Sequence, residues 1–278
     1  IVKWFWIFFT VPVVLVIALI GMVWAVADIP SFEELENPDT RLATQVIAED
    51  GEVLTTFHIE NRSYVSFEEL SPALVNAAIA TEDVRFHSHS GIDFQSLGRV
   101  IFKTLLGGDS SQGGGSTITQ QLAKTLYPRE DVGSPFKMVW IKLKEWITAV
   151  KLERNYTKDE IMTMYMNQIF FGSNAYGIKA AAQTFFGKNP IDLTVEEAAT
   201  LVGMVNKPTR YNPAINPDKS LARRNLVISR MEKNGFLTAH ERDSIQQIRI
   251  TLSYQIQDHN AGVGPYFRDM LRRTMNAK

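Results

Sequence analysis

A run of 24 residues without a charged side chain, from Trp4 to Ala27, constrains this chain more than any other feature of its sequence. A helix needs about 20 apolar residues to cross a bilayer. Tryptophans lie near both ends of the run, as they do at membrane interfaces: Trp4, Trp6 and Trp24. We therefore expect residues 1–27 to form a transmembrane anchor. A cleaved signal peptide is the alternative, although its apolar core is about 7–15 residues long.

The charges that flank this run predict its orientation. Lys3 precedes it, and acidic residues follow it: Asp28, Glu33, Glu34 and Glu36. Because positive charge favours the cytoplasmic side, we expect a single-pass protein with its N-terminus inside and the bulk of the chain outside. Residues 28–42 would then form a stem between the anchor and the folded domain.

The formal net charge of −1 conceals a strong asymmetry along the chain. Residues 28–95 carry 14 acidic and 3 basic side chains, whereas residues 96–278 carry 16 acidic and 25 basic ones. A basic distal part beside an anchor favours an anionic partner, either a phosphate group or an anionic lipid. Nucleic acid is not expected, because the sequence has no zinc finger, RNA-binding signature or basic helix with heptads. The absence of cysteine excludes thiolate metal sites and thiol nucleophiles.

Turn and capping signals predict a mainly α fold with one small β-hairpin. Asp50-Gly51 joins two stretches, 43–48 and 52–59, and is typical of a hairpin turn. Ser71-Pro72 opens a helix, and a long helix is predicted over Pro135–Arg154. We expect the soluble part to form one domain of about 230 residues in two lobes.

Two capping boxes predict further helix starts in the second half of the chain. In each, a threonine precedes a glutamate by three residues: Thr157 and Glu160, then Thr194 and Glu197. A last long helix is predicted around Ser220–Asn234, after a segment rich in proline.

Glu82 is the first candidate for chemistry. The helix that begins at Pro72 carries an apolar stripe, which consists of Leu74, Val75, Ala78 and Ile79. At 100° per residue, Glu82 falls on that stripe while Asp83 turns away from it. A carboxylate on an apolar face is costly to ionise, which is how proteins tune a general acid or base. A capping or ion-paired role at the helix end is the alternative.

The histidines that follow, His87 and His89, favour structural roles over a metal site, because no third ligand stands at a diagnostic spacing. Residues 113–124, GGGSTITQQLAK, then form a polar run that leads into another helix. Backbone N–H groups at such a helix start can hold an anion. The run is not a Walker A loop, and a capping and linker segment is the alternative.

The predicted helix Pro135–Arg154 combines a basic face with an apolar one. Lysines recur at a spacing of seven: Lys137, Lys144 and Lys151. The apolar face consists of Phe136, Val139, Trp140, Leu143, Ile147 and Val150. Lys142 and Glu145 lie between the two faces. A diphosphate with a lipid tail would suit such a helix, and a solvated lysine face is the alternative.

Taken in order, these stretches resemble the peptidoglycan glycosyltransferases, glycosyltransferase family 51, the domain found in class A penicillin-binding proteins and monofunctional cell-wall glycosyltransferases. Residues 82–91, EDVRFHSHSG, look like the family's E-D-x-x-F-x-x-H-x-G. Residues 115–124, GSTITQQLAK, look like its G-S-T-I-T-Q-Q-L-x-K. Residues 165–177 look like its Y-L-N…F-G…Y-G stretch. The resemblance runs from about Ala43 to Met231.

Two positions depart from the family pattern. Ile141 stands where the family's R-K-x-x-E has arginine, and Thr163 stands where its I-L-E-x-Y-L-N has glutamate. The residues that we consider indispensable are all present: Glu82, Gln120, Gln121, Lys124 and Glu145.

The resemblance implies a lysozyme-like, mainly α fold with a larger lobe and a smaller membrane-facing lobe. It implies polymerisation of lipid II into β-1,4-linked glycan strands, with release of undecaprenyl diphosphate and inversion at the anomeric carbon. Glu82 would be the general base that activates the 4-hydroxyl of the acceptor sugar. Glu145 would position the donor or hold a divalent cation, Mg²⁺ or Mn²⁺, and no organic cofactor is expected.

The resemblance also implies which residues bind the substrate. The candidate diphosphate contacts are Lys124, Lys137, Lys142 and Lys144. Ser116, Thr117, Gln120 and Gln121 would hydrogen-bond sugar and phosphate oxygens. The remaining candidates for substrate binding are Asp83, Phe86, His89, Thr119 and Asn167.

The expected domain order is the anchor, the stem, a glycosyltransferase domain over 43–245, and the start of a linker over 246–278 toward a transpeptidase-like domain. The expected partners are lipid II, the growing glycan strand, the cytoplasmic membrane and other cell-wall synthesis proteins. Two alternatives remain open: a lytic hydrolase of the same glycan, and a membrane-anchored scaffold without activity.

Overall fold

The structure is a computed structural model that describes residues 44–47, 53–57, 61–62, 64–107, 115–126 and 135–255, with isolated positions 4, 6, 10, 11, 14 and 21. Nearly all of the predicted anchor and the whole of the predicted stem lie outside these residues, as does the end of the predicted linker. Among the helices that the structure describes, none is both long and apolar enough to cross a membrane.

The described residues group into two compact units. The first unit includes those of Arg85–Ile161, and the second includes those of Thr40–Val84 and Met162–Lys278. Glu82 and Asp83 therefore belong to the second unit, whereas the polar run at 115–124 belongs to the first.

The strands are few and short. β1 (Thr44–Ile47) and β2 (Val53–Phe57) pair antiparallel, and their register shifts between Val46 and Ile47. This pairing confirms the predicted hairpin. β3 (Asn61–Arg62) pairs in parallel with β4 (Ala175–Tyr176).

The described part of the chain is mainly helical, which confirms the predicted fold class. Its α-helices are α1 Pro72–Glu82, α2 Phe94–Gly107, α3 Ile118–Leu126, α4 Pro135–Asn155, α5 Lys158–Gln168, α6 Ile178–Phe186, α7 Val195–Met204, α8 Pro217–Lys233 and α9 Ala239–Gln247. Short 3₁₀ turns lie at Phe67–Glu69, Phe86–Ser88 and Pro190–Asp192.

The predicted helix starts are confirmed by their caps. The Ser71 hydroxyl accepts a hydrogen bond from the backbone N–H of Leu74, with Pro72 in the first turn. Thr157 and Glu160 bond each other's backbone N–H groups, and Thr194 and Glu197 form a second capping box. The last long helix begins earlier than predicted, at Pro217.

In the second unit, α1 packs against both α7 and α8. The residues from Ala77 to Ala80 are all buried, although they point in successive directions around the helix. The prediction of a single apolar stripe was therefore wrong: α1 is covered on several sides, and Val75 of that stripe is only half-buried.

In the first unit, α3 packs against α4. Among the side chains of α4 that the structure describes, Leu143 is the first buried one, and those of residues 137–142 are half-buried or exposed. The predicted apolar face is thus only partly buried, because Val139 is 53% exposed and Leu143 is 8% exposed.

Candidate active site

Glu82 is the last residue of α1, and Asp83 forms its C-cap with φ −156° and ψ 77°. The prediction that Asp83 turns away from the apolar surroundings was wrong, because Asp83 is only 5% exposed while Glu82 is half-buried. The helical period no longer applies once the backbone leaves helical geometry at position 83. Asp83 is therefore the more deeply buried of the two carboxylates.

Two side chains of the second unit lie in the electrostatic field of these carboxylates. Burial, together with the negative charges of Glu82 and Asp83, raises the pKa of the Tyr165 hydroxyl. Arg230 donates a hydrogen bond from Nη1 to the backbone oxygen of Thr81, at 2.9 Å. Burial and the like charge of Arg223 lower the pKa of Arg230, and the charge of Glu82 opposes that effect.

Asn167 lies in the same unit and bonds a backbone segment remote in sequence. Its Oδ1 accepts a hydrogen bond from the N–H of Val65 at 3.0 Å, and its Nδ2 donates to the oxygen of Val65 at 2.9 Å. Asn167 is 6% exposed. Its amide thus fixes the chain before α1 instead of facing solvent.

Gly91 connects the first predicted motif to the second within the first unit. Its carbonyl accepts hydrogen bonds from the Thr117 hydroxyl at 2.8 Å and from Gln120 Nε2 at 3.1 Å. Both side chains are buried. Gly91 has φ +93°, and a Cβ there would lie 2.9 Å from the backbone of Ala149. Only glycine combines this conformation with this approach.

A buried ion pair, which sequence reasoning missed, supports the same segment. Glu153 accepts a hydrogen bond from Thr119 at 2.6 Å and another from Lys158 at 2.7 Å. Lys158 also donates to the backbone oxygen of His89, and its ammonium lies 4.5 Å from the centre of the Phe86 ring. The sequence feature that points to this ion pair is Glu153, an acidic residue directly after Leu152, which is buried on α4.

His89 has a buried side chain in this network. The N–H of Gly91 donates to its Nδ1 at 3.2 Å, so Nδ1 carries a lone pair in this arrangement. Glu153 Oε1 lies 4.0 Å from the same nitrogen. His87 is exposed. These positions agree with the structural role expected for His89.

The remaining candidates of the polar run are more accessible. Ser116 and Gln121 are half-buried, and Lys124 is exposed near the end of α3. These three residues present polar groups at the surface of the first unit, in contrast to Thr117, Thr119 and Gln120.

On α4, Lys137, Lys142 and Lys144 are half-buried, and Glu145 is 6% exposed. Lys142 Nζ forms an ion pair with Glu145 Oε2 at 2.5 Å. No cluster of three or more His, Asp or Glu side chains suited to a metal ion occurs among the residues that the structure describes. A carboxylate neutralised by an ammonium is a poor donor set for Mg²⁺ or Mn²⁺, so we derive no step through a metal at Glu145.

A sequence model of the transglycosylase family, described as "Transglycosylase", matches residues 50–232. The chain belongs to the transglycosylase family. The match extends over every predicted site residue from Glu82 to Asn167, and it confirms the resemblance to the peptidoglycan glycosyltransferases. The domain is a glycosyltransferase.

Several penicillin-binding proteins are similar to this transglycosylase chain. It is 36% identical over 247 residues to penicillin-binding protein 1A of Escherichia coli, covering 89% of this chain and 28% of that protein. It is 38% identical to penicillin-binding protein 1A/1B of Bacillus subtilis, with 87% and 26% covered. It is 40% identical to penicillin-binding protein 1F of Bacillus subtilis, with 72% and 27% covered. The chain thus spans little more than a quarter of the length of these relatives.

Proposed function

We propose that this chain polymerises lipid II into β-1,4-linked glycan strands and releases undecaprenyl diphosphate, with inversion at the anomeric carbon. The observation that carries the proposal is the family match over residues 50–232, which includes Glu82 at the half-buried end of α1.

In this reaction the 4-hydroxyl oxygen of the acceptor N-acetylglucosamine bonds to C1 of the donor N-acetylmuramic acid. The bond between C1 and the diphosphate oxygen breaks, and the diphosphate leaves with the electron pair. Glu82 accepts the hydroxyl proton as general base. A half-buried carboxylate suits this role, because a substrate hydroxyl can reach it while the protein shields part of it from water.

The diphosphate contacts are assigned to the lysines at the accessible surface of the first unit. Lys124 on α3 is exposed, and Lys137 and Lys144 on α4 are half-buried, so each retains access to solvent. Cations placed where charge develops on the leaving group stabilise the transition state. Glu145 contributes by fixing the ammonium of Lys142.

Several predicted substrate ligands are assigned positioning roles instead. Thr117 and Gln120 donate hydrogen bonds to the carbonyl of Gly91. Thr119 donates one to Glu153, and Asn167 accepts one from the N–H of Val65. Phe86 and His89 contact Lys158. Ser116 and Gln121 are half-buried side chains of the polar run, and the sugar and phosphate contacts are assigned to them.

We also propose a membrane setting for the reaction. Residues 1–27 would anchor the chain, 28–42 would form the stem, and 43–245 would form a lysozyme-like two-lobed domain outside the cytoplasmic membrane, followed by a linker from 246. Phe94, Met138 and Val139 of the first unit are each more than half exposed, at 70%, 52% and 53%. Exposed apolar side chains of this kind favour contact with a lipid-linked substrate at the bilayer surface.

The test is incubation of the purified chain with lipid II, with product length resolved on a gel. We expect long strands from the native chain and from Glu68→Gln, which removes an exposed carboxylate of the same unit. Glu82→Gln should give no strands, because an amide cannot accept the proton.

Full polymerisation by Glu82→Gln would contradict the assignment of the base. Shortening of preformed strands by the native chain would indicate a hydrolase, and binding without any conversion would indicate a scaffold. Either result would contradict the proposed polymerisation.

A further inference from the structure

The end of α1 is held by a side chain that lies 149 positions further along the chain. The last carbonyls of a helix lack intrahelical partners, and Arg230 of α8 donates to one of them, the Thr81 oxygen, at 2.9 Å. A cation at a helix C-terminus also interacts favourably with the helix dipole. Arg230 thus fixes the turn that carries Glu82.

Arg230 also supplies positive charge to the surroundings of Glu82. Their opposite charges attract, and burial of Arg230 within the second unit weakens screening by water. Asp83 and Tyr165 of α5 also lie in the field of Glu82, and Arg223 of α8 acts on Arg230 as a like charge. Tyr165 stays neutral because burial and both carboxylates raise its pKa.

We propose that Arg230 is a positioning residue for glycosyl transfer, which orients Glu82 through the Thr81 carbonyl and places a positive charge in the surroundings of its carboxylate. This inference rests on the proposed function, since it assigns Arg230 a role in the same site. It requires one side chain to act in two ways: through a hydrogen bond to the backbone, and through its charge.

The two actions can be separated by substitution. Arg230→Lys retains the charge and one donor, whereas Arg230→Gln retains a donor and removes the charge. Lys233→Gln is the matched control, because it removes an exposed cation from the last turn of the same helix. Thermal unfolding of each variant measures stability separately. Arg230→Met, which removes the donor and the charge together, replaces the glutamine variant if that variant does not fold.

The first readout is the split between kcat and KM for lipid II polymerisation. Arg230→Gln should lower kcat about tenfold and leave KM nearly unchanged, because a displaced base loses transition-state stabilisation without weakening substrate binding. Arg230→Lys should restore most of the native kcat, and Lys233→Gln should leave both constants unchanged.

The second readout does not need activity. Carbon-13 NMR of labelled glutamate, assigned with Glu82→Gln, follows the carboxyl signal of Glu82 at one pH in the native chain, in Arg230→Gln and in Lys233→Gln. We expect the signal to move in Arg230→Gln and to keep its native position in Lys233→Gln. An unmoved signal in Arg230→Gln would overturn the inference even if the native chain polymerises lipid II, whereas a moved signal beside an inactive native chain would count against the proposed function alone.

Discussion

Asn167 holds both backbone groups of Val65, accepting from its N–H and donating to its oxygen across 102 positions of sequence. An amide side chain can replace a neighbouring strand in this way, since it offers one donor and one acceptor in the geometry of a peptide group. The segment that leads into α1 is thereby fixed to the end of α5.

We expect Asn167→Ala to destabilise the fold by about 2–3 kcal/mol, because two buried backbone groups lose their partners together. Urea unfolding followed by circular dichroism measures the change. Asn189→Ala is the control, because Asn189 is exposed and its side chain makes no capping bond. Equal stability of the two variants would show that Val65 finds other partners when the amide is removed.

Gly91→Ala should cost about 3 kcal/mol or more, because the new Cβ meets the backbone of Ala149 at 2.9 Å and φ is +93°. Gly98→Ala provides the opposite case within the same unit. Gly98 lies inside α2, where a Cβ meets no atom within 4 Å, so alanine should stabilise the helix by about 1 kcal/mol. Thermal unfolding compares the two, and a stable Gly91→Ala variant would rule out the close approach to α4.

Acid should weaken the fold at Asp93. Burial alone would raise the pKa of this carboxyl, but hydrogen bonds from Arg85 and Ser96 and the charge of Arg85 lower it to about 2. A carboxyl whose folded pKa lies below its ordinary value of 3.8 contributes stability above that value, and the contribution is lost as pH falls toward 2.

Native stability should therefore fall by about 2 kcal/mol between pH 5 and pH 2 through this group alone. Asp93→Asn should be less stable at pH 7 and should lose less on acidification. Urea midpoints of both proteins across this range provide the measurement, and parallel pH curves would contradict the pairing of Asp93 with Arg85.

The Thr81 hydroxyl is buried and, within the described part of the chain, has no hydrogen-bond partner. Valine has nearly the same shape without the polar group, so Thr81→Val should raise stability by about 1 kcal/mol. Thr200→Val is the matched control, because the Thr200 hydroxyl donates to the oxygen of Glu196 at 2.7 Å. That variant should be less stable, and a destabilised Thr81→Val would indicate that the hydroxyl has a partner in solution.

Features set by neighbouring residues could be predicted from the sequence. The cap at Ser71 and the capping box of Thr157 and Glu160 each involve side chains three residues from the backbone they bind, so a short pattern contains all the participants. The start of α4 at Pro135 agrees with the preference of proline for the first turn of a helix. These local contacts explain why helix starts were predicted more closely than burial.

Features set by distant contacts could not be predicted in the same way. The burial of Asp83 depends on where α1 ends and on what covers it, and a period of 100° per residue describes neither. The pairing of Glu153 with Lys158 could not be predicted either, because it is part of a network in which the fold brings Thr119 to the same carboxylate. The sequence shows that Thr117, Gln120 and Asn167 are polar. It does not show that their side chains bind the backbone of Gly91 and Val65, because those contacts form only in the folded chain.

The carbonyl of Gly91 accepts two hydrogen bonds at once, one from Thr117 just before α3 and one from Gln120 within α3. A fluctuation that releases residues 86–91 must break the bonds of both Thr117 and Gln120, so the loop and the start of α3 open together. Amide hydrogens of the two segments should then exchange with solvent at a common rate. Two stretches separated by more than twenty residues would behave as a single cooperative unit.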